Sequence, residues 1–100
     1  MLTNILIPDQ EISAFCHRYQ VRRLLVFGSA LRDDFSAESD IDLLVEFEPE
    51  ASVSLFDMGG MQVELSELLG RTVDLKTPAY LSRYIRQRVL DEAQVLYERG

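Results

Sequence analysis

Cysteine and histidine are almost absent from this sequence. Cys16 is the only cysteine and His17 the only histidine among 100 residues. A single cysteine cannot form a disulfide within the chain, and a zinc site needs thiolate or imidazole ligands that are barely present. Adjacent helical residues point in different directions, so we expect a packed thiol and a partly exposed imidazole. A chain that cannot form an internal disulfide fits a reducing, cytoplasmic setting.

Basic residues are also scarce relative to acidic ones. The chain has 10 Lys and Arg against 17 Asp and Glu, a formal net charge of −7. A protein that neutralises several phosphates of a nucleic acid needs a clustered basic face. We therefore expect no direct binding to nucleic acid. The arginines of the last predicted helix could face solvent, a nucleotide or an acidic partner.

Long apolar runs are missing as well. No run approaches the roughly 18 residues of a membrane span, and the first eight residues lack the basic region and apolar core of a signal peptide. Hydrophobic residues nevertheless make up 47% of the chain. A chain of this length closes one core and buries roughly two-thirds of its unfolded surface. We expect one soluble domain over residues 1–100.

Hydrophobic periodicity predicts alternating helices and strands. Asp9 is predicted to cap a first helix over residues 10–19, and Pro78 to start a last helix over residues 79–90, with Leu81, Ile85 and Val89 towards the core. Residues 94–97 fit either a short edge strand or the frayed end of that helix. Strands are predicted over residues 24–27, 41–47 and 71–76. This order predicts an α/β fold with a small mixed sheet flanked by helices.

The middle helix, over residues 55–69, contains an irregular feature. Ser52 or Ser54 can cap its start, and Gly70 stands in the usual stop position. Gly59 and Gly60 interrupt it, and each glycine costs about 1 kcal/mol relative to alanine in a helix. Their presence indicates either a kink or a close approach to the backbone.

Aspartates occupy the polar faces of two predicted strands. Asp40 and Asp42 are two residues apart, so they share one face, and Asp74 lies on the polar face of the third strand. Carboxylates gathered without compensation repel one another, and hard oxygen ligands suit Mg²⁺, which takes its remaining ligands from water and phosphates. Gly28 and Ser29 form a turn that lets a phosphate approach the backbone. Together these residues indicate phosphoryl or nucleotidyl transfer.

The segment FGSALRDDFSAESDIDLLV resembles the signature of the DNA polymerase beta-like nucleotidyltransferase superfamily. It has a strand, Gly-Ser, ten intervening residues and Asp-x-Asp between apolar positions. The SLFD start of the middle helix, the LLGRTVDLKT segment and the basic last helix are similar to minimal nucleotidyltransferases. The resemblance covers nearly the whole chain, from about residue 21 onward.

The resemblance implies roles for individual residues. Gly28 and Ser29 would bind the triphosphate of ATP, and Arg32 would support that loop or the phosphates. Asp40 and Asp42 would hold two Mg²⁺ ions. Asp74 would be the third acid, which completes the metal site on the nucleophile side and helps to deprotonate the acceptor hydroxyl.

The resemblance also implies a partner. Minimal nucleotidyltransferases are typically paired with a HEPN-domain ribonuclease toxin, and act as the antitoxin by transferring AMP from ATP to a tyrosine of that toxin. The family commonly has a glycine just after the arginine, whereas Asp33 and Asp34 follow Arg32 here and add negative charge near the expected triphosphate. Two alternatives remain: neutralisation of the toxin by binding and occlusion, and transfer to a small molecule. A homo-oligomer is also possible.

Overall fold

A computed structural model describes residues 8–28 and 40–99 of the chain. Strands β1 (Val21–Phe27), β2 (Ile41–Phe47), β3 (Val73–Lys76) and β4 (Gln94–Glu98) form one sheet in the order β3-β2-β1-β4. Strand β1 is antiparallel to both β2 and β4, whereas β2 and β3 are parallel. The predicted mixed sheet is confirmed, and residues 94–98 are an edge strand rather than a frayed helix.

Two helices pack on one face of this sheet, namely α1 (Asp9–Arg18) and α2 (Leu55–Leu69). Their buried side chains, such as Phe15 and Leu65, join the inward residues of the strands in one core cluster. Leu25 and Leu44 are a register pair outside that cluster, and both are buried, which shows that the opposite face of the sheet is also covered. Both strands in the middle of the sheet are therefore fixed from two sides.

The caps of the helices decide where each one begins. Ser54 caps α2 by a reciprocal capping box with Asp57, and Gly70 ends it in the left-handed conformation, as predicted. The prediction for α1 was wrong in detail, because Pro8 holds the capping position without a side-chain cap and Asp9 is the first helical residue. An acid in the first turn still suits the helix dipole.

The last helix differs most from the prediction. Pro78–Tyr80 is a short 3₁₀ turn, and α3 (Arg83–Glu92) begins separately, because the Ser82 hydroxyl accepts a hydrogen bond from the Tyr84 amide at 3.2 Å. None of the residues in α3 is buried, and Ile85 is 46% exposed. The prediction that Leu81, Ile85 and Val89 line the core from one continuous helix was therefore wrong.

Gly59 and Gly60 lie in an uninterrupted α2, so the prediction of an interrupted helix was also wrong. Among the described residues, no atom comes within 4 Å of a Cβ added at either position. Neither glycine is needed for a close contact with that part of the chain.

We expect Gly59→Ala to stabilise the protein. Alanine restricts the unfolded chain and favours the helix by about 0.5–1 kcal/mol, and the site has room for the methyl group. Thermal and urea unfolding measure this, with a rise of the melting temperature of roughly 4–8 °C per kcal/mol for a chain of this size. A melting temperature at or below that of the wild type would contradict this expectation.

Candidate active site

The alternation of β2 places Asp42 away from the core. Its neighbours Ile41 and Leu43 are fully buried in the cluster beneath the sheet, whereas Asp42 is only half-buried. Asp40 is exposed and lies directly before the strand, two residues from Asp42. Side chains two apart along an extended chain project to one side. The structure therefore places Asp40 and Asp42 on the face opposite α1 and α2.

The parallel pairing of β2 with β3 adds the third acid. Asp42 and Asp74 are partners in register, and the residues on both sides of Asp74, Val73 and Leu75, are buried. Registered neighbours in a sheet point to the same face. The three carboxylates predicted from separate parts of the sequence thus lie on one face, at the start of β2 and on β3.

Gly28 closes the site from the side of β1. Phe27 is the register partner of Asp42, and the next residue, Gly28, has φ +74°. A Cβ at position 28 would lie 2.5 Å from Oδ2 of Asp42. Only glycine combines this backbone conformation with such close contact to the carboxylate. The predicted turn residue is therefore fitted directly against one of the predicted metal ligands.

Several predicted site residues fall outside the described part of the chain. Ser29, Arg32 and the two acids Asp33 and Asp34 belong to residues 29–39, which the structure does not describe. Their roles stay predictions.

Lys76 was missed by the sequence analysis. Its ammonium group lies 2.5 Å from Oδ2 of Asp74, and the Asp74 side chain is 45% exposed. The strand alternation that identified Asp74 also puts Lys76, two residues on, on the same face. The sequence therefore contained the signal that Lys76 lies beside Asp74.

Asp40, Asp42 and Asp74 supply the donor chemistry that suits a divalent cation. Carboxylate oxygens are the donors that Mg²⁺ prefers, and it needs few of them from the protein. Because Gly28 has no Cβ, the Asp42 carboxylate can occupy the space beside it. Within residues 8–28 and 40–99, no three Asp, Glu, His or Cys side chains stand close enough to hold an ion. Asp74 is turned to Lys76, so its carboxylate would have to leave that ion pair to join Asp42.

Helix α2 fixes β3 and hence Asp74. Because β3 is an edge strand, alternate backbone amides point away from β2. The Val73 amide donates to Oγ of Ser66 at 3.0 Å, and the Leu75 amide donates to Oε1 of Gln62 at 2.9 Å. Side chains of the helix thereby replace the missing neighbour strand on both sides of Asp74.

We expect Gln62→Leu to destabilise the protein by about 1–3 kcal/mol, because the amide of the buried residue Leu75 loses its acceptor. Urea unfolding measures the change. Gln62→Glu keeps an oxygen at the same distance along the side chain and is the matched control. Equal stability of the Leu and Glu variants would show that this hydrogen bond does not hold the strand.

A cavity of about 510 Å³ opens beside Asp74. It lies between β3, the end of β2, the start of α2 and the 3₁₀ turn. Its walls are mainly apolar, and the Asp74 and Lys76 pair lies at one side. Its lining is formed by Phe47, Ala51, Val53, Ser54, Leu55, Met58, Gln62, Asp74, Leu75, Lys76, Thr77 and Tyr80. The sequence analysis did not identify this cavity, since it forms from segments that meet only in the folded chain.

Cys16 and His17 lie outside this site. Cys16 is fully buried, and burial raises the pKa of its thiol to about 12. The thiol is therefore protonated at neutral pH and is not a nucleophile. The His17 ring is exposed and contacts Tyr97 edge-on at 6.1 Å between centroids. The structure agrees with a packed thiol and an exposed imidazole.

A protein-family model described as a nucleotidyltransferase domain matches residues 9–96. The chain belongs to this family. The matched range contains Gly28, Asp40, Asp42 and Asp74. The prediction of a nucleotidyltransferase is confirmed. No helix in the described ranges is long and apolar enough to cross a membrane.

Similar proteins support the same family. A protein adenylyltransferase, MntA of Thermococcus cleftensis, is 39% identical over 79 residues, which cover 75% of this chain and 74% of that protein. A solved structure of a candidate minimal nucleotidyltransferase has a TM-score of 0.71 and 35% identity, and covers 86% of both chains.

A third similarity is to a complex. The solved structure of a tri-AMPylated Shewanella oneidensis HEPN toxin with its MNT antitoxin matches with a TM-score of 0.64 and 19% identity. The match covers 91% of this chain and 70% of that chain. At this identity the similarity establishes the common fold.

Proposed function

We propose that this nucleotidyltransferase is an antitoxin that transfers AMP from ATP to a tyrosine hydroxyl of a HEPN toxin, with Mg²⁺ as cofactor. The observation that carries the proposal is the register of Asp42 with Asp74, with Gly28 against the Asp42 carboxylate. The resemblance to MntA, a protein adenylyltransferase, and the fold shared with the MNT antitoxin of an AMPylated HEPN toxin support AMP transfer and the partner.

The residues divide the reaction between them. Asp40 and Asp42 would hold Mg²⁺, with Asp74 as the third ligand, and the turn of Gly28, Ser29 and Arg32 would bind the triphosphate. Bound Mg²⁺ supplies positive charge that neutralises the phosphates and the developing charge of the transition state.

Proton transfer falls to Asp74 in this proposal. The acceptor oxygen forms a bond to the α-phosphorus of ATP, the bond to the bridging oxygen breaks, and pyrophosphate leaves. The hydroxyl proton passes to the Asp74 carboxylate, which must then lie within hydrogen-bond reach of that oxygen. In the structure this carboxylate is paired with Lys76.

The direct test uses the chain, ATP, Mg²⁺ and the product of the neighbouring gene. Intact-mass spectrometry of the partner should show the addition of one or more AMP groups, located by fragmentation on a tyrosine. The same mixture with EDTA is the control. An unchanged partner mass, with both proteins folded, would refute the proposal.

Binding without catalysis is a second candidate. Four large hydrophobic side chains near the cavity or on α3 are strongly exposed, as in surfaces that bind other proteins. They are Leu55 at 85%, Phe56 at 91%, Tyr80 at 74% and Tyr84 at 82%. Such a surface could cover a toxin without modifying it, and loss of the aspartates separates the two functions.

A further inference from the structure

The two glycines of α2 have no role within the described chain. Gly59 and Gly60 are exposed in an uninterrupted helix, and no described atom comes within 4 Å of a Cβ added at either position. Glycine is the least favourable residue in a helix after proline, so two in succession weaken α2. The sequence left two explanations, a kink or a close approach to the backbone. Because the helix is continuous and no described residue comes close, the explanation left is an approach by another molecule.

The glycines lie in the middle of an exposed apolar stripe. Phe56, Gly59, Gly60 and Val63 are spaced i, i+3, i+4 and i+7, so they share one face of the helix. This face points to solvent, since Phe56 is 91% exposed and Val63 is 60% exposed. Small residues between larger apolar side chains let the backbone of a second helix come close and make contacts on both sides. The stripe therefore has the form of a helix-packing surface without its partner helix.

This stripe runs between two depressions of the surface. Leu55 lines the cavity of about 510 Å³ at the start of α2, and it is a neighbour of Gly59 on the helix, four residues away. At the other end, Val63 and Glu67 line a second depression. The walls of the first cavity are mainly apolar. A helix that crosses the glycines can thus place an aliphatic or aromatic side chain in this cavity, as in other helix-in-groove contacts.

The charges of α2 decide which kind of helix fits. The helix contains three acids and no Lys or Arg. Asp57 is engaged in the capping box and Glu64 pairs with Arg18, whereas Glu67, four residues after Val63, is exposed on the stripe side. Two copies of this face would bring like charges together, and each chain carries a net charge of −7. Charge complementarity therefore favours a basic helix over a second copy of this chain.

We propose that the outer face of α2 is the docking surface for a basic, amphipathic helix of the toxin, whose backbone passes over Gly59 and Gly60. This inference rests on the proposed function for the identity of the partner. Helix α2 packs on the sheet face opposite to Asp40 and Asp42, so a helix bound there leaves the carboxylates open to Mg-ATP. Docking on α2 sets the affinity for the toxin and takes no part in the transfer step.

Gly60→Leu tests the close approach, because it adds apolar surface but blocks access to the backbone. If the surface only had to be apolar, leucine would strengthen the complex. We expect the opposite: the Kd for the product of the neighbouring gene, measured by calorimetry without ATP, should rise at least about tenfold, a typical cost of overpacking. Ala14→Leu is the matched control, since Ala14 is an exposed small residue of α1, and it should keep the wild-type Kd.

A split between folding, binding and catalysis is expected for Gly60→Leu. Leucine favours the helix over glycine and the position has room, so the melting temperature should rise while the complex weakens. In the AMP-transfer assay KM for the partner should rise, whereas kcat and the Kd for Mg-ATP should stay at wild-type values. A purely structural defect would instead lower the melting temperature and kcat together.

Glu67→Lys tests the charge of the partner helix. The complex should weaken, and its affinity should depend less on salt, because an attraction across the interface is lost. Glu11→Lys makes the same change of net charge at an exposed position of α1 and is the control. It should keep the wild-type Kd.

The outcomes separate this inference from the proposed function. The docking surface stands if Gly60→Leu and Glu67→Lys both weaken the complex relative to their controls, even if wild type transfers no AMP, in which case the proposed function fails. It is overturned if wild type forms no complex, or if either variant keeps or lowers the Kd, even where AMP transfer is observed. A dimer of the chain alone in sedimentation, dissolved by Gly60→Leu, would also overturn it and assign the surface to a second copy.

Discussion

Asp42→Asn should lower kcat/KM for AMP transfer on the order of 10³-fold while the protein stays folded. Asparagine has nearly the same shape, so the contact with Gly28 is kept. It removes the negative charge that would hold Mg²⁺, in a reaction whose catalysis depends on positioning and charge neutralisation. The measurement is the rate of partner modification at saturating ATP, with circular dichroism and melting curves as the check of folding.

Asp9→Asn is the matched control for that change. It removes one carboxylate of the same type from the first turn of α1, on the far side of the sheet from the site. The cost is limited to the helix-dipole interaction, about 0.3–1 kcal/mol of stability, and the transfer rate should be that of wild type. If both variants lose activity equally, net charge rather than the site explains the result.

The same variant separates catalysis from occlusion. Asp42→Asn leaves the exposed surface of Leu55, Phe56, Tyr80 and Tyr84 unchanged. An antitoxin that acts by modification should fail to protect cells that express the toxin, although a pull-down still recovers the complex. Full protection by the Asn variant would favour occlusion and would remove the role proposed for the carboxylates in neutralisation.

Local signals predicted where the aspartates of the candidate site lie along their strands. The spacing of Asp40 and Asp42 and the alternation around Asp74 depend only on strand geometry, and the buried neighbours Ile41, Leu43, Val73 and Leu75 hold that geometry in the fold. The pairing of Asp42 with Asp74 was not visible locally. It follows from the parallel order of β2 and β3, which the intervening helix α2 makes possible.

The errors have a common physical origin in competing local interactions. Apolar residues at helical spacing suggested one helix from Pro78 onward, but the Ser82 hydroxyl starts a new helix and the apolar face of α3 is left partly exposed. The glycine pair suggested an interrupted α2, but the capping box and the buried residues Met61, Leu65 and Leu69 are enough to keep the helix continuous. Capping overrode the apolar periodicity before α3, and capping together with packing overrode the glycine propensity in α2.

Gly28→Ala should lower both stability and activity, by separable mechanisms. At φ +74° a side chain costs about 1–2 kcal/mol, which lowers the melting temperature by roughly 4–8 °C per kcal/mol. The new methyl group would also lie 2.5 Å from Oδ2 of Asp42. The Asp42 carboxylate has to move away from this methyl group, and it then leaves the position for Mg²⁺. A displacement of about 1 Å in a reacting group can lower the rate about 10²-fold.

Gly70→Ala separates the two mechanisms. Gly70 has a similar φ of +67°, so alanine there carries the same backbone strain, but no described atom lies within 4 Å of the added Cβ. We expect both variants to lose melting temperature and only Gly28→Ala to lose AMP transfer, measured at a temperature at which both are folded. If Gly28→Ala is as active as Gly70→Ala, AMP transfer does not require the Asp42 carboxylate in its position next to Gly28.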